Sequence, residues 1–577
     1  MVAISYQTLF PLLVSLLLSH GVLNLEASHH VYSKFQNVAT TSSSSKNQPY
    51  RTGFHFQPPK NWMNDPNGPM IYKGIYHLFY QWNPKGVVWG NIVWAHSTST
   101  DLVNWTPQPT GIYPSQPSDI NGTWSGSTTF LKNGVPAILY TGINGRREQV
   151  QNLALPKNPA DPYLIKWTKL RKNPLMYPTT GNHINSSSFR DPTTAWLGHD
   201  GRWRVIIGSK INREGKAILY TSNDFINWSL APHPLHSKMG TGMWECPDFF
   251  PVGIDSPNGV DTSVAGRNVK HVLKVSLDDT RHDAYSIGKY DTVKDVFTPD
   301  VGTVEGDSGL RYDYGKFYAS KTFFDDVTHR RILWGWINES SSVEDDMKKG
   351  WSGIQGVPRT VVLDKSRKQL VQWPIKEIEK LRVNPVKFPR QVLKGGSLLK
   401  VSGITGSQAD VEISFKALDL NQTEVMDPSW TNPQLLCSQK GASVGGNLGP
   451  FGLLVLASKG LKEYTAVYFR IFKSHDKFVV LMCSDQSRSS LNNNNDKTTY
   501  GTFLNVDPVT EKLSLRTLID HSIVESFGGQ GKSCITARVY PLLATNENAG
   551  LYAFNYGKQR VKITKLSAWS MKKAKIN

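Results

Sequence analysis

From Pro49 to about Trp373, apolar residues come in short alternating runs of Val, Ile, Tyr, Phe and Trp, interrupted by Gly, Pro, Asn and Asp turns. Runs such as Met70 to Tyr80, Ala137 to Tyr140, Trp203 to Gly208, His271 to Val275 and Arg331 to Trp336 have the length and period of strands. Helical spacing is almost absent. Its one clear instance is Trp373 to Arg382, where Ile375, Ile378 and Leu381 fall on one face, and this predicts a short connecting helix. From about Pro389 strands return, among them Ala409 to Phe415, Phe451 to Ala457, Val467 to Phe472, Phe478 to Met482 and Ile523 to Ser526, a spacing that fits a β-sandwich. Ser490 to Lys497, with its run of asparagines, reads as an exposed loop.

Within the first region a pattern recurs. Asp101-Leu-Val-Asn-Trp105 is echoed by Asp224-Phe-Ile-Asn-Trp228, and Asp161 to Trp167 is a looser copy, so that the three tryptophans are spaced by 62 and 61 positions. A weaker relative, Tyr290 to Phe297, follows about one period on. A repeat of this length implies one sheet per period, and sheets that cannot cover both faces alone pack around an axis. The region has room for about five such blades. The fold class expected is therefore all-β: a five-bladed β-propeller over 49–372, a linker with a short helix over 373–388, and a β-sandwich over 389–577.

Two features ahead of the repeats bear on location. Leu9 to Leu18 has the length of a secretory apolar core and is too short to span a bilayer, so 1–27 reads as a signal peptide and 28–48 as a disordered spacer. The amine terminus supplies the only positive charge before that core. Six N-x-[ST] sequons, at Asn104, Asn121, Asn185, Asn227, Asn338 and Asn421, agree with a secreted, glycosylated chain. No second long apolar run follows, so no membrane anchor is expected. Of the four cysteines, Cys437 and Cys483 lie in the same region and could close a disulfide in an oxidising compartment; the alternative is four buried thiols. No C-x-x-C pair is present, and no metal, nucleotide or redox cofactor is expected.

The formal charge is +19. Basic residues are scattered and accompany no nucleic-acid-binding motif, which leaves an acidic wall polysaccharide as the better partner, or simply a soluble basic surface.

Three acidic clusters, each set among aromatic or turn residues, carry the candidate chemistry: Trp62-Met-Asn64-Asp65-Pro-Asn-Gly68, Phe189-Arg190-Asp191-Pro192 and Trp244-Glu245-Cys246-Pro247-Asp248. They fall in different repeats, and a propeller brings its innermost strands together on the axis. Carboxylates among tryptophans suit glycoside hydrolysis, in which one attacks and another, its pKa raised by apolar walls, donates a proton. Singly, each cluster reads equally well as a turn or a structural pair.

Together the three closely resemble the signature motifs of plant acid invertases, the β-fructofuranosidases of glycoside hydrolase family 32, and the likeness runs from about Pro49 through Ser570. The resemblance implies that Asp65 is the nucleophile, Glu245 the acid/base and Asp191 the transition-state stabiliser with Arg190 beside it. It further implies sugar-lining roles for Trp62, Asn64, Gln81, Trp89, Trp124 and Ser125. A retaining mechanism places the Asp65 and Glu245 carboxyl groups about 5 to 5.5 Å apart. Pro247 resembles cell-wall members, where vacuolar ones usually carry Val. Sucrose-preferring relatives keep an Asp with a Lys three positions later; here Asp278 is followed by Arg281, and a planar guanidinium does not reproduce an ammonium. Sucrose is the expected substrate and short fructans the alternative. A catalytically silent sugar binder is the remoter reading, and a proteinaceous inhibitor is left open as a partner.

Overall fold

The computed structural model describes residues 48–576. The expected signal peptide and nearly all of the expected spacer lie outside the described residues. Five sheets, each built on four successive antiparallel strands, surround a common axis, and two seven-stranded sheets follow as a sandwich. The blades start with the inner strands Asn61–Tyr72, Thr123–Phe130, Phe189–Arg190, Trp244–Gly253 and Phe317–Asp325. The short strand Trp351–Ser352, from the last blade's insertion, pairs in parallel with Asn61–Trp62 of the first and so ties the ring shut.

The sequence repeat has a structural cause. Asp101 accepts the backbone N–H groups of Val103 and Asn104, Asp224 accepts those of Ile226 and Asn227, and Asp161 accepts those of Tyr163 and Ile165. Leu102 and Phe225, directly after their aspartates, and Leu164, three positions after Asp161, take positive φ and are buried. Each turn delivers the chain from the third to the outermost strand of its blade. The Trp105 and Trp228 indoles close their turns by donating to the carbonyls of Leu102 and Phe225.

The helical spacing at Trp373 to Arg382 is realised only in part. Trp373 belongs to the last strand of blade five, Leu370–Pro374, and the helix is a 3-10 segment, Lys376–Leu381, that buries Ile378 and Leu381. The sandwich begins directly after it, with Arg382–Lys387 paired to the final strand Val561–Met571, inside the stretch expected as linker. Asn384-Pro385 reads as a break in sequence, but here it occupies a bulge between Val383 and Val386 on an edge strand, where a missing N–H is tolerated.

Sandwich and propeller meet through buried charge. His55 bridges Asp520 and Glu525, while Arg359 reaches Asp313 and Glu525, all fully buried. Glu339 of the propeller takes Arg538 and Lys349. Cys437 and Cys483 are joined by a disulfide within the sandwich; Cys246 and Cys534 are free and buried. All six sequon asparagines are exposed.

Candidate active site

Four of the five inner strands lose register where they approach the axis. The shifts fall between Met63 and Pro66, Thr123 and Gly126, Glu245 and Asp248, and Tyr318 and Lys321. A bulge bends its strand and turns a side chain away from the regular pleat. Asp65, Ser125, Glu245 and Tyr318 are each on or beside one of these irregularities. Non-glycine residues also take positive φ there: Asp191 at 66°, Cys246 at 41° and Ala319 at 52°. Such backbone is uncommon away from glycine and clusters at functional sites. Gly208 allows the close approach of blades three and four, because a Cβ on it would meet the Trp244 carbonyl oxygen at 2.0 Å.

One side of the cavity is organised around Asp65. Its Oδ2 accepts the Ser125 hydroxyl at 2.5 Å and its Oδ1 accepts the Asn64 amide at 3.0 Å. Asn64 also donates to Gln81 at 3.0 Å, Gln81 donates to Ser125, and the Trp62 indole donates to Asn64 at 2.9 Å. Every polar residue on this side therefore fixes another. Trp62 packs edge-on to Trp336, and Trp89 packs edge-on to Trp124.

The other side is organised around Glu245. Oε1 accepts Arg190 Nη2 at 2.8 Å, while Oε2 accepts the Tyr318 hydroxyl at 2.5 Å and Arg281 Nη1 at 3.2 Å. Asp278 lies between the two guanidinium groups, 3.4 Å from Arg190 and 2.8 Å from Arg281. Arg281 also rests over the Tyr318 ring.

Asp191 and Cys246 join the halves. The Cys246 backbone N–H donates to Asp191 Oδ2 at 2.9 Å, and its thiol lies 3.4 Å from Asp65 Oδ2 and 3.6 Å from Asp191 Oδ2. Burial and the charges of Asp191 and Asp65 push that thiol well above its usual range, so it remains protonated and donates. The sequence-predicted residues Trp62, Asn64, Asp65, Gln81, Ser125, Arg190, Asp191, Glu245, Asp278 and Arg281 are thus linked in one network, with Trp89 and Trp124 paired beside Ser125.

The electrostatics differ from the expectation that apolar walls raise the proton affinity of Glu245. Burial does act in that direction, but Arg190, Arg281 and the Tyr318 hydroxyl outweigh it, and Glu245 is held below its ordinary pKa. Among the described residues Asp65 has no cation within ion-pair distance, and burial and the charges of Asp191 and Glu245 push it up to about 6, against the hydrogen bonds from Ser125 and Asn64. Burial also raises Asp191, with Arg190 opposing. The three carboxylates repel one another and titrate as a cluster, with proton affinity raised at Asp65 and Asp191 and lowered at Glu245.

Three contributors escaped the sequence motifs, and a fourth was seen in one without a role. Tyr318 and Trp336 come from blade five, which carries no acidic signature. The Cys246 thiol was legible only as part of its motif. Lys274, fully buried, reaches the carbonyl oxygens of Cys246 at 2.7 Å and Ser320 at 2.5 Å, with Asp283 at 3.7 Å. It thereby joins the bulge under Glu245 to the bulge beside Tyr318. Its signal in sequence is a lone lysine inside the apolar run His271 to Val275.

Comparison with known proteins decides the family. The model for the N-terminal domain of glycosyl hydrolases family 32 matches residues 55–374, and that for the family's C-terminal region matches 377–570. The chain belongs to glycosyl hydrolase family 32. It is 64% identical over 573 residues to an insoluble-isoenzyme β-fructofuranosidase of Arabidopsis thaliana, covering 98% of each chain. It is also 63% identical to a fructan 6-exohydrolase of Beta vulgaris, over 97% of this chain and 94% of that one. Among solved structures of family 32, fructan 1-exohydrolase IIa from Cichorium intybus superposes with a TM-score of 0.90 at 53% identity, covering 92% of this chain and 99% of that one.

Proposed function

We propose that this family 32 chain is a secreted, retaining β-fructofuranosidase that hydrolyses sucrose to glucose and fructose, acting in the cell wall. The observation that carries the reading is the division of labour between the carboxylates. Asp65 is surrounded by neutral donors that fix its position, while Glu245 is surrounded by cations and a phenol.

In the proposed reaction Asp65 attacks C2 of the fructosyl unit and Glu245 protonates the departing glycosidic oxygen. Asp191, bent into the cavity by its positive φ, binds the sugar hydroxyls and faces the positive charge that develops on the ring. Glu245 then takes a proton from water as the water oxygen bonds to C2 and the C2–Asp65 bond breaks, which releases fructose with net retention and restores both carboxyl groups. The productive state carries its single proton on Glu245, whereas the electrostatics favour Asp65. The reactive form is accordingly a minor tautomer of the singly protonated cluster, and it has the same pH dependence as the major one.

Sucrose is favoured by the high identity to β-fructofuranosidases named as insoluble or cell-wall isoenzymes. A fructan exohydrolase is the second reading, supported by Arg281 and by the 63% identical Beta vulgaris relative. Rates of fructose release from sucrose, inulin and levan by the secreted protein separate them: sucrose should be cleaved fastest, and a faster rate on either polymer reverses the choice. An inert protein on all three would leave only a sugar-binding role. The basic charge and the names of the relatives support a wall location, with acidic polysaccharide as the partner.

A further inference from the structure

One sandwich sheet packs part of its outer face on the propeller through Leu518, Asp520, Glu525 and Phe527, and on the free end of that face, beyond the contact, positive charge gathers that the molecule leaves unneutralised. In the final strand Val561 and Ile563 are fully buried, so Lys562 between them points away from the core. Lys562 stands directly opposite Lys416 of the strand Gln408–Ala417, and on its other side opposite Val392. Like charges facing each other across a ladder are unfavourable. Among the described residues, neither Lys416 nor Lys562 has a carboxylate within ion-pair distance.

The surrounding residues extend the pattern. Lys565, on the same strand, is 54% exposed and pairs with Glu412, which Arg382 also occupies. Lys387 is exposed and lies across Ser567 from that same glutamate. At the strand's other end Arg560, 60% exposed, meets Asp419 at 3.6 Å. Arg382 has Asp410 and Glu379 as further partners, but none of these acids pairs with Lys416 or Lys562. Val392 and Leu418, both exposed, add apolar surface at the same end.

We infer that this sheet face is the docking surface for an acidic polysaccharide, whose carboxylates supply the counter-charge missing at Lys416 and Lys562 and whose sugar rings lie against Val392 and Leu418. The inference rests on the wall-associated reading above and assigns that association to one face.

The test uses the full secreted protein on immobilised polygalacturonate across a salt gradient. Lys416→Glu with Lys562→Glu should weaken binding at low salt by roughly tenfold and lower the eluting salt, since each cation near an anionic surface contributes on this order. A control, Lys365→Glu with Lys368→Glu in an exposed turn of the last blade, makes the same change in net charge and should shift elution much less. Sucrose hydrolysis in solution should be unchanged in both. Equal weakening by the two doubles would mean diffuse charge and would overturn the assigned face. Tighter binding to dextran sulfate than to polygalacturonate, lost with the same two lysines, would overturn the occupant. Failure of the unmodified protein to bind polygalacturonate at all would instead remove the wall-associated reading itself.

Discussion

Tyr318 donates its phenolic hydrogen to Oε2 of Glu245 across 2.5 Å, and it does so from the neighbouring blade. The bond stabilises the ionised carboxylate, as does Arg281 at the same oxygen. Tyr318→Phe should lower kcat by roughly tenfold or more, the usual cost of a hydrogen bond to a charged group, with a smaller change in KM. Steady-state kinetics on sucrose check this, and an unchanged kcat would show that Glu245 is positioned by its arginines alone.

Asp65→Ala and Glu245→Gln should each reduce sucrose turnover by at least roughly 10²–10⁴-fold, the range for a positioned proton-transfer group and below what a lost nucleophile costs. Circular dichroism and Tm should stay close to those of the parent, since neither residue holds two modules together. Near-normal turnover in either variant would reassign the roles.

The pH dependence follows from the shared proton. The cluster loses its last proton as pH rises through about 6, the value to which Asp65 is pushed, so kcat/KM should fall above that point. On the acid side, activity falls as a second proton is bound. Arg281→Gln removes a cation from beside Glu245 and so raises that carboxyl's affinity for protons. Its acid limb should move to higher pH. A pH–rate profile for the two proteins measures this, and a limb that stays in place would exclude Arg281 from control of Glu245.

Lys274→Met leaves Asp283 and two bulge carbonyls without their cation in a dry interior. Breaking a buried pair in this way costs about 3–5 kcal/mol. The expected outcome is a lower Tm together with a fall in kcat that exceeds any change in KM, because the two bulges carrying Glu245 and Tyr318 lose their common anchor.

His55 supplies a stability prediction. Although burial opposes its charging, Asp520 and Glu525 raise its pKa from 6.5 to about 9. A group with a raised folded-state pKa contributes fully below its unfolded value and loses the contribution as pH rises through the folded one. The Tm difference between the parent and His55→Gln should therefore be largest below about pH 6.5 and shrink toward pH 9. A difference independent of pH would mean that the ring acts there by packing.

What the sequence disclosed was local. The Asp-x-x-Asn-Trp turn is made by a carboxylate reaching N–H groups two and three residues on, so its repeat is visible in the chain and reports the blades. The carboxylates at Asp65, Asp191 and Glu245 were legible because aromatic and proline neighbours mark them. Tyr318, Trp336 and Lys274 were not, since the residues they meet lie far along the chain or on neighbouring strands and no short motif encloses them. The lowered pKa of Glu245 was hidden for a like reason: Trp244 beside it in sequence points to desolvation, while the decisive cations come from Arg190 and Arg281, 55 and 36 positions away. The first sandwich strand, Arg382–Lys387, falls within the expected linker because it is a short edge strand interrupted by a bulge, with no long alternating run to mark it.

The register shifts along the inner strands have an evolutionary corollary. Reactive groups mounted on kinks within paired strands are insulated from the rim, where loop length and composition can drift without displacing them. Residues at that rim can then be exchanged while the carboxylates at the centre are inherited in place.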